Sequence, residues 1–277
     1  MITRICISIN NVCNLRCKYC HFHEKQDCIE KAPMDVFKIL DNIKAHINKY
    51  EIDSFKIGFV GNGEPLLNFS ELRTYIEYIS EELKNGIISA YTITNGVLIT
   101  EEMLTFLKEH NVNVGFSIDG LQQIHDKWRC SSYDKVMGNI ELYRKINGKY
   151  PSMNCTVGAD VIACAEETIS FFERFKNRVT FSRMIGHYGI SMSEFKQFIA
   201  QAQERLNVRT GGYDCTMYGG LCGAGINNLF YANGKIFICG NCIDLGMSFP
   251  YTTPLDEVNF NVPSFDRTQC FKESFSE

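Results

Sequence analysis

The chain has 277 residues, 45% hydrophobic and 22% charged, with a net charge of −4. That balance fits one large globular core with room for a small satellite, and no basic stretch points to nucleic acid as a partner. No apolar run approaches the ~20 residues that span a bilayer, and no long apolar stretch follows Arg4. Neither a membrane span nor a secretory signal is expected, and the expected location is the cytoplasm.

Thirteen cysteines are the anomaly. A reducing compartment disfavours disulfides. Cys6, Cys155 and Cys164 sit singly in apolar stretches and read as packing; clustered cysteines call for a metal.

In chain order, "RICISIN" from Arg4 alternates apolar and polar residues and predicts a strand. A long irregular stretch follows, from about Asn10 to Lys31, and holds Cys13, Cys17 and Cys20 in a C-x3-C-x2-C spacing. Loops of that length are usually functional or disordered. Pro33 is placed to open a helix with Val36, Leu40, Ile43 and Ile47 on one face. "FKIGFV" predicts a buried strand, and "NFSELRTYIEYISEEL" a helix with Asn68 and Glu71 spaced as a capping box. "SAYTIT" is a strand, Thr100 caps the helix "EEMLTFLKEH", and "VNVGFSI" is a strand. A helix follows with Val136, Ile140 and Tyr143 on one face. Then come the strand "SMNCTVGADV", the helix "AEETISFFERF", the strand "RVTFSR" and a helix from Ser191 to about Leu206.

Six strand–helix units in succession imply an α/β fold with a parallel sheet, either open and doubly wound or a partial barrel. Ligands bind at the carboxyl ends of such strands. The unusual residues fall there: the three cysteines after strand 1, "GNGEP" (Gly61, Asn62, Gly63, Glu64, Pro65) after strand 2, "TNG" with Asn95 after strand 3, and "SIDG" from Ser117 after strand 4, with His125 and Arg129 just beyond. Trp128 reads as packing.

Past about Arg209 the pattern changes to Gly- and Cys-rich sequence. "NLFYANGKIFI" predicts a hairpin turning at Asn233-Gly234. Cys215 and Cys222 precede it, Cys239 and Cys242 end it, and Cys270 lies near the C-terminus. So small a unit has little core of its own and calls for a metal staple.

Loop thiolates select zinc or an iron–sulfur cluster. Zinc closes four ligands and a [4Fe-4S] cluster normally takes four cysteines; three leave one iron open to bind something else. His21 and His23 beside the triad could instead complete a zinc site.

With "CNLRCKYC" followed by "GNGEP", "TNG" and "SIDG…HDKWR", the sequence resembles the radical S-adenosylmethionine (SAM) superfamily over roughly residues 1–190. The resemblance implies a partial (β/α)6 barrel whose Cys13, Cys17 and Cys20 hold a [4Fe-4S] cluster, the fourth iron being chelated by SAM. It places Tyr19 near the adenine, the backbone of Gly61, Asn62, Gly63 and Glu64 at the methionyl amino group, and Asn95, Ser117 and Arg129 at the ribose and carboxylate. The usual motif is Gly-Gly-Glu-Pro, and here Asn62 replaces the first Gly; the backbone is expected to tolerate it. Reductive cleavage of SAM would give a 5′-deoxyadenosyl radical that abstracts hydrogen from a substrate.

Residues 191–277 resemble a bridging helix and the start of the auxiliary-cluster domain of the SPASM and twitch subfamilies. This implies one auxiliary [4Fe-4S] cluster on Cys215, Cys222, Cys239 and Cys242, with Cys270 as the rival fourth ligand; zinc remains the alternative there. The resemblance is strongest to enzymes that modify peptides or proteins, so a ribosomal peptide maturase forming thioether or carbon–carbon crosslinks is expected. The alternatives are a peptide epimerase, a formylglycine-type sulfatase maturase, a small-molecule dehydrogenase and, remotely, a zinc-stapled binding protein. Strand 1 starts almost at Met1, so no N-terminal peptide-binding domain is expected ahead of it. The expected partners are therefore a peptide or protein substrate, a separate leader-peptide-binding protein, and a flavodoxin- or ferredoxin-like electron donor.

Overall fold

The structure, a computed structural model, describes residues 1–20, 22, 32–82, 87–209 and 213–274. His21 and His23, the candidate zinc ligands, lie outside the described residues.

Six parallel strands follow one another across the sheet: β1 (Arg4–Ile7), β2 (Phe55–Phe59), β3 (Ile88–Thr94), β4 (Asn113–Ser117), β5 (Ser152–Val157) and β6 (Val179–Arg183). Helices fill the connections: α1 (Val36–Tyr50), α2 (Phe69–Glu82), α3 (Glu101–Glu109), α4 (Gln122–Trp128), α5 (Tyr133–Asn147), α6 (Ala159–Ala163) and α7 (Ala165–Glu173), with α8 (Met192–Gln203) after β6. The strand order never reverses. Right-handed crossovers then put every helix on one face and curl the sheet, giving a partial barrel rather than a doubly wound sheet.

Strand alternation separates the two faces. Ile5, Ile7, Ile57, Phe59, Phe116, Cys155 and Phe181 are buried under the helices, whereas Cys6, Tyr91, Ser117, Asn154, Thr156 and Ser182 take the opposite, inward face and stay partly accessible. Cys155 is packing, as read from sequence; Cys6 and Cys164 are only half-buried. Trp128 is buried too, its indole N–H donating to Asp160.

Two helix starts differ from expectation. Asp35, not Pro33, caps α1, its carboxylate accepting from Phe37 N and Lys38 N. Asn68 and Glu71 form no capping box, because a 3-10 turn over Pro65–Asn68 leads straight into α2. Asn68 instead donates to the Glu71 side chain and accepts from Asn10. The predicted Thr100 cap forms, accepting from Met103 N, and Ser191, expected only as the start of a helix, closes a capping box with Glu194.

Beyond α8, short strands β7 (Tyr213–Asp214) and β8 (Leu221–Cys222) pair with each other. The predicted hairpin forms from β9 (Asn228–Ala232) and β10 (Lys235–Phe237), turning on Asn233 and Gly234, both at positive φ. It joins the barrel sheet: β9 runs parallel to β1, with Cys6 opposite Phe230, and β11 (Phe249–Pro250) closes that edge. A short helix, α9 (Phe271–Ser274), ends the described chain.

Candidate active site

The loop after β1 carries Cys13, Cys17 and Cys20, all half-buried. A turn joins two of them, with Cys20 N donating to Cys17 O at 3.0 Å, and Lys18 N ties the loop to Trp128 O at 3.0 Å. Burial pushes the Cys13 thiol up, and Cys20 adds to it. Cys17 is pushed up to about 12, chiefly by burial, with Cys20, Asp119 and Cys13 adding and Arg129 opposing. The three thiols thus sit within electrostatic reach of one another. Burial favours the protonated form of Cys13 and Cys17, and a bound metal would displace those protons. Among the described residues, no three His, Cys, Asp or Glu side chains already stand in a coordination shell. A donor set of three soft thiols in one loop nevertheless fits an iron–sulfur cluster with an open iron.

Three asparagines fix this loop, Asn10 and Asn11 to the segment after β2 and Asn14 to the end of β3. Asn10 donates to Glu64 O and to Asn68, both at 2.9 Å. Asn11 accepts from Asn62 Nδ2 at 3.0 Å. Asn14 accepts from Asn95 Nδ2 at 2.8 Å. None was singled out by sequence reasoning; the signal was there in "INNVCN", three amides within five residues of the first ligand thiol.

The "GNGEP" loop packs directly on the cysteine loop. A Cβ at Gly61 would lie 2.4 Å from Ser8 Cβ, and one at Gly63 would lie 1.9 Å from Asn10 Oδ1 and 2.4 Å from Val12 O. Both glycines are required by close approach. Asn62 is not at positive φ, so its backbone tolerates a side chain, as expected. Asn62 N donates to Ser8 Oγ at 2.9 Å, and its buried Oδ1 has no hydrogen-bond partner among the described residues.

Glu64 is buried, and its carboxylate is fully engaged by protein. It accepts from Thr94 Oγ1 and Asn95 N, both at 2.7 Å, and from Leu66 N at 3.1 Å. Burial raises its pKa, while those donors pull the other way. Its carboxylate therefore braces "TNG" against "GNGEP". Asn95 Nδ2 also approaches Cys13 Sγ at 3.7 Å.

Asp119 is the second hub that sequence reasoning passed over, although it lies within the quoted "SIDG". Its Oδ2 takes both Tyr19 Oη at 2.6 Å and Arg129 Nε at 2.7 Å; its Oδ1 takes Thr156 N at 2.9 Å. The Arg129 guanidinium lies 5.3 Å from the Tyr19 ring centroid. Burial works against the Arg129 cation, but the adjoining Asp119 carboxylate outweighs it and holds the group charged. Ser117 ends β4 on the inward face opposite Asn154.

His125 is buried and neutral. Its pKa is lowered to about 4 by burial and then by Arg129. Its Nδ1 accepts from Asp119 N at 3.3 Å and its Nε2 faces Ser132 Oγ at 3.0 Å, so it braces the loop rather than facing a ligand.

The second thiol set gathers around a small apolar cluster containing Cys222, Ala224, Ile238, Cys242 and Phe271. Asn241 bridges two of its thiols, donating from N to Cys239 Sγ at 3.3 Å and from Nδ2 to Cys270 Sγ at 3.7 Å. The Cys242 thiol is driven up by a hydrogen bond with Cys239, by burial, and by Cys270 and Cys222. Cys270, held as the rival ligand, is thus brought into the group with Cys222, Cys239 and Cys242. Cys215 follows Asp214, the ladder partner of Cys222.

The radical SAM superfamily model matches residues 7–163 of the 277. A cysteine-type anaerobic sulfatase-maturating enzyme of Clostridium novyi is 32% identical over 147 residues, which is 50% of this chain and 39% of that protein. The radical SAM cyclopropyl synthase TigE of Paramaledivibacter caminithermalis is 27% identical over 173 residues, 57% of this chain and 36% of that protein. The chain therefore matches well under half the length of these curated relatives. The solved structure of native anSMEcpe with bound AdoMet and Cp18Cys peptide superposes with a TM-score of 0.71 at 21% identity, over 93% of this chain and 81% of that one. At that identity the likeness is one of fold. No helix among the described residues is long and apolar enough to cross a membrane.

Proposed function

The chain belongs to the radical SAM superfamily, and from that premise we propose that it modifies a peptide or protein, using SAM and a [4Fe-4S] cluster held by Cys13, Cys17 and Cys20. The observation that carries this reading is the convergence of the three-thiol loop with "GNGEP" and "TNG" through Asn10, Asn11 and Asn14, and with Asp119 and Arg129 through Tyr19. Bound there, the cluster and SAM would supply radical chemistry able to take a hydrogen atom from the substrate.

The chain's own residues position that chemistry. The close-packed backbone of Gly61, Asn62 and Gly63 would receive the methionyl end. Asn95, Ser117 and Arg129 would hold the ribose and carboxylate, and the Tyr19 ring the adenine. Glu64 acts through Asn95, and Asp119 through Tyr19 and Arg129. Cys222, Cys239, Cys242 and Cys270 would hold an auxiliary [4Fe-4S] cluster, with Cys215 the remaining candidate. The inward strand face supports a peptide substrate: Ser117, Asn154, Thr156 and Ser182 offer neutral hydrogen-bonding groups and no carboxylate.

The favoured reaction is crosslinking of a ribosomally made peptide, fed by a low-potential donor of the flavodoxin or ferredoxin kind and, where a leader must be read, by a separate leader-binding protein. Oxidation of Ser or Cys to formylglycine is the second reading, favoured by the identity to a sulfatase-maturating enzyme. The experiment is anaerobic reconstitution, an iron count, and incubation with dithionite, SAM and candidate peptides, followed by mass spectrometry. Formation of 5′-deoxyadenosine, lost when all three N-terminal cysteines become Ala, supports the radical reading. A two-hydrogen loss unreactive to hydrazide marks a crosslink; a hydrazide-reactive product marks formylglycine. Absence of SAM cleavage by an iron-loaded chain overturns both.

A further inference from the structure

Asn62 stands where the related motif carries glycine, and its side chain is not idle. Its Nδ2 donates to Asn11 Oδ1 at 3.0 Å, and Asn11 Nδ2 donates to Asn233 Oδ1 at 2.6 Å. The two bonds run head to tail in one direction, so each amide polarises the next. Asn62 and Asn233 are both buried, and Asn233 sits at positive φ in the hairpin turn. Three segments far apart in sequence are thereby joined: the loop after β2, the cysteine loop two residues before Cys13, and the turn six residues before Cys239. The chain also fixes which way the Asn62 amide faces. With its NH2 bound to Asn11, the group left over is Oδ1, a buried acceptor without a partner among the described residues. A buried acceptor left unsatisfied is destabilising and calls for a donor.

We infer that Asn62 is a cofactor-positioning residue whose amide is oriented by Asn11 and Asn233, so that the hairpin turn next to the second thiol set tunes how the first loop receives the α-ammonium of SAM. This rests on the radical SAM reading above. The ammonium is the cationic donor that the motif loop receives, and Oδ1 is the acceptor that a glycine at 62 would lack.

The test is a mutant cycle on reconstituted, full-length protein, reading the SAM dissociation constant and the change that SAM makes in the electron paramagnetic resonance signal of the reduced N-terminal cluster. Asn62→Gly restores the related motif, and Asn233→Gly suits the turn's positive φ, so both are compatible with the fold. Each is expected to weaken SAM about 3- to 10-fold, with the double variant no worse than the poorer single one. Asn11→Asp keeps the acceptor for Asn62 but loses the donor to Asn233, and should reproduce Asn233→Gly. Wild-type SAM affinity in Asn233→Gly, or additive losses in the double variant, overturns the inference. Failure of the iron-loaded wild type to bind SAM at all is a different result and sinks the radical SAM reading itself.

Discussion

Tyr19 and Arg129 meet on one oxygen. Tyr19 Oη donates to Asp119 Oδ2 at 2.6 Å and Arg129 Nε to the same atom at 2.7 Å. Tyr19 lies inside the cysteine motif and Arg129 just past a helix more than a hundred residues on. Asp119 is therefore the joint that ties the cluster loop to the far strand ends.

Removing that charge should be costly. Asp119→Asn keeps the shape but leaves a guanidinium that is only 10% exposed without its anion. Breaking a buried pair costs about 3–5 kcal/mol. The expected outcome is a large drop in the thermal midpoint, with loss of 5′-deoxyadenosine formation. Tyr19→Phe removes one hydrogen bond and spares the ion pair, so its midpoint should fall far less, by an amount matching about 1 kcal/mol. Calorimetry on the two variants checks the order.

Glu64 offers a more local test. Glu64→Gln retains one acceptor oxygen for Leu66 N and Thr94 Oγ1 but turns an NH2 group against the Asn95 N–H, donor against donor. A buried unpaired donor costs about 1–3 kcal/mol. Because Asn95 also bonds Asn14 in the cysteine loop, weaker SAM binding should accompany the loss of stability. Equilibrium SAM binding on Glu64→Gln beside wild type checks this, and unchanged affinity would detach "TNG" from the cofactor.

His125 sets a pH dependence. Its pKa in the fold is lowered to about 4, against about 6.5 when unfolded. Between those values the unfolded chain binds the extra proton, so stability rises with pH across that window. The contribution is complete above about pH 6.5 and is lost as pH falls toward about 4. Denaturant unfolding at pH 7 and pH 5.5 should show a decline that His125→Gln reduces. This range lies above the ordinary titration of exposed carboxylates, which separates the two effects.

The barrel was readable because its signals are periodic. Strict alternation in "RICISIN" and "SMNCTV" leaves Ile5, Ile7, Met153, Cys155 and Val157 on the covered face, where they are found. The hairpin was equally plain from Asn233-Gly234, but its place beside β1 was not, since strand pairing between residues 4–7 and 228–231 is set by tertiary packing alone. The same limit hid Asn10, Asn11, Asn14 and Asp119. Their residue types suit ordinary turns, and only contacts reaching across as many as 222 positions show what they join. Pro33 misled because proline fits the first helical turn generally, whereas the side-chain acceptor that satisfies the first amides of α1 belongs to Asp35.

The fourth ligand of the second thiol set is the last question that sequence left open, and Asn241 points to its answer. One residue holds Cys239 through its backbone N–H and Cys270 through its side-chain amide. α9, which Cys270 immediately precedes, is pinned from both sides, with Glu273 ion-paired to Arg183 at the end of β6 and Lys272 to Asp244 at 2.6 Å. A thiol so fixed needs little further ordering to ligate iron. Cys270→Ala should therefore lower bound iron by about four per chain and leave the SAM-responsive signal of the N-terminal cluster in place. Cys215→Ala should lower iron less. Arg183→Met should act in the same direction as Cys270→Ala but more weakly, because it frees the helix and keeps the thiol. If Cys215→Ala strips the cluster and Cys270→Ala does not, the ligand set is instead Cys215, Cys222, Cys239 and Cys242, and the bonds of Asn241 serve packing alone.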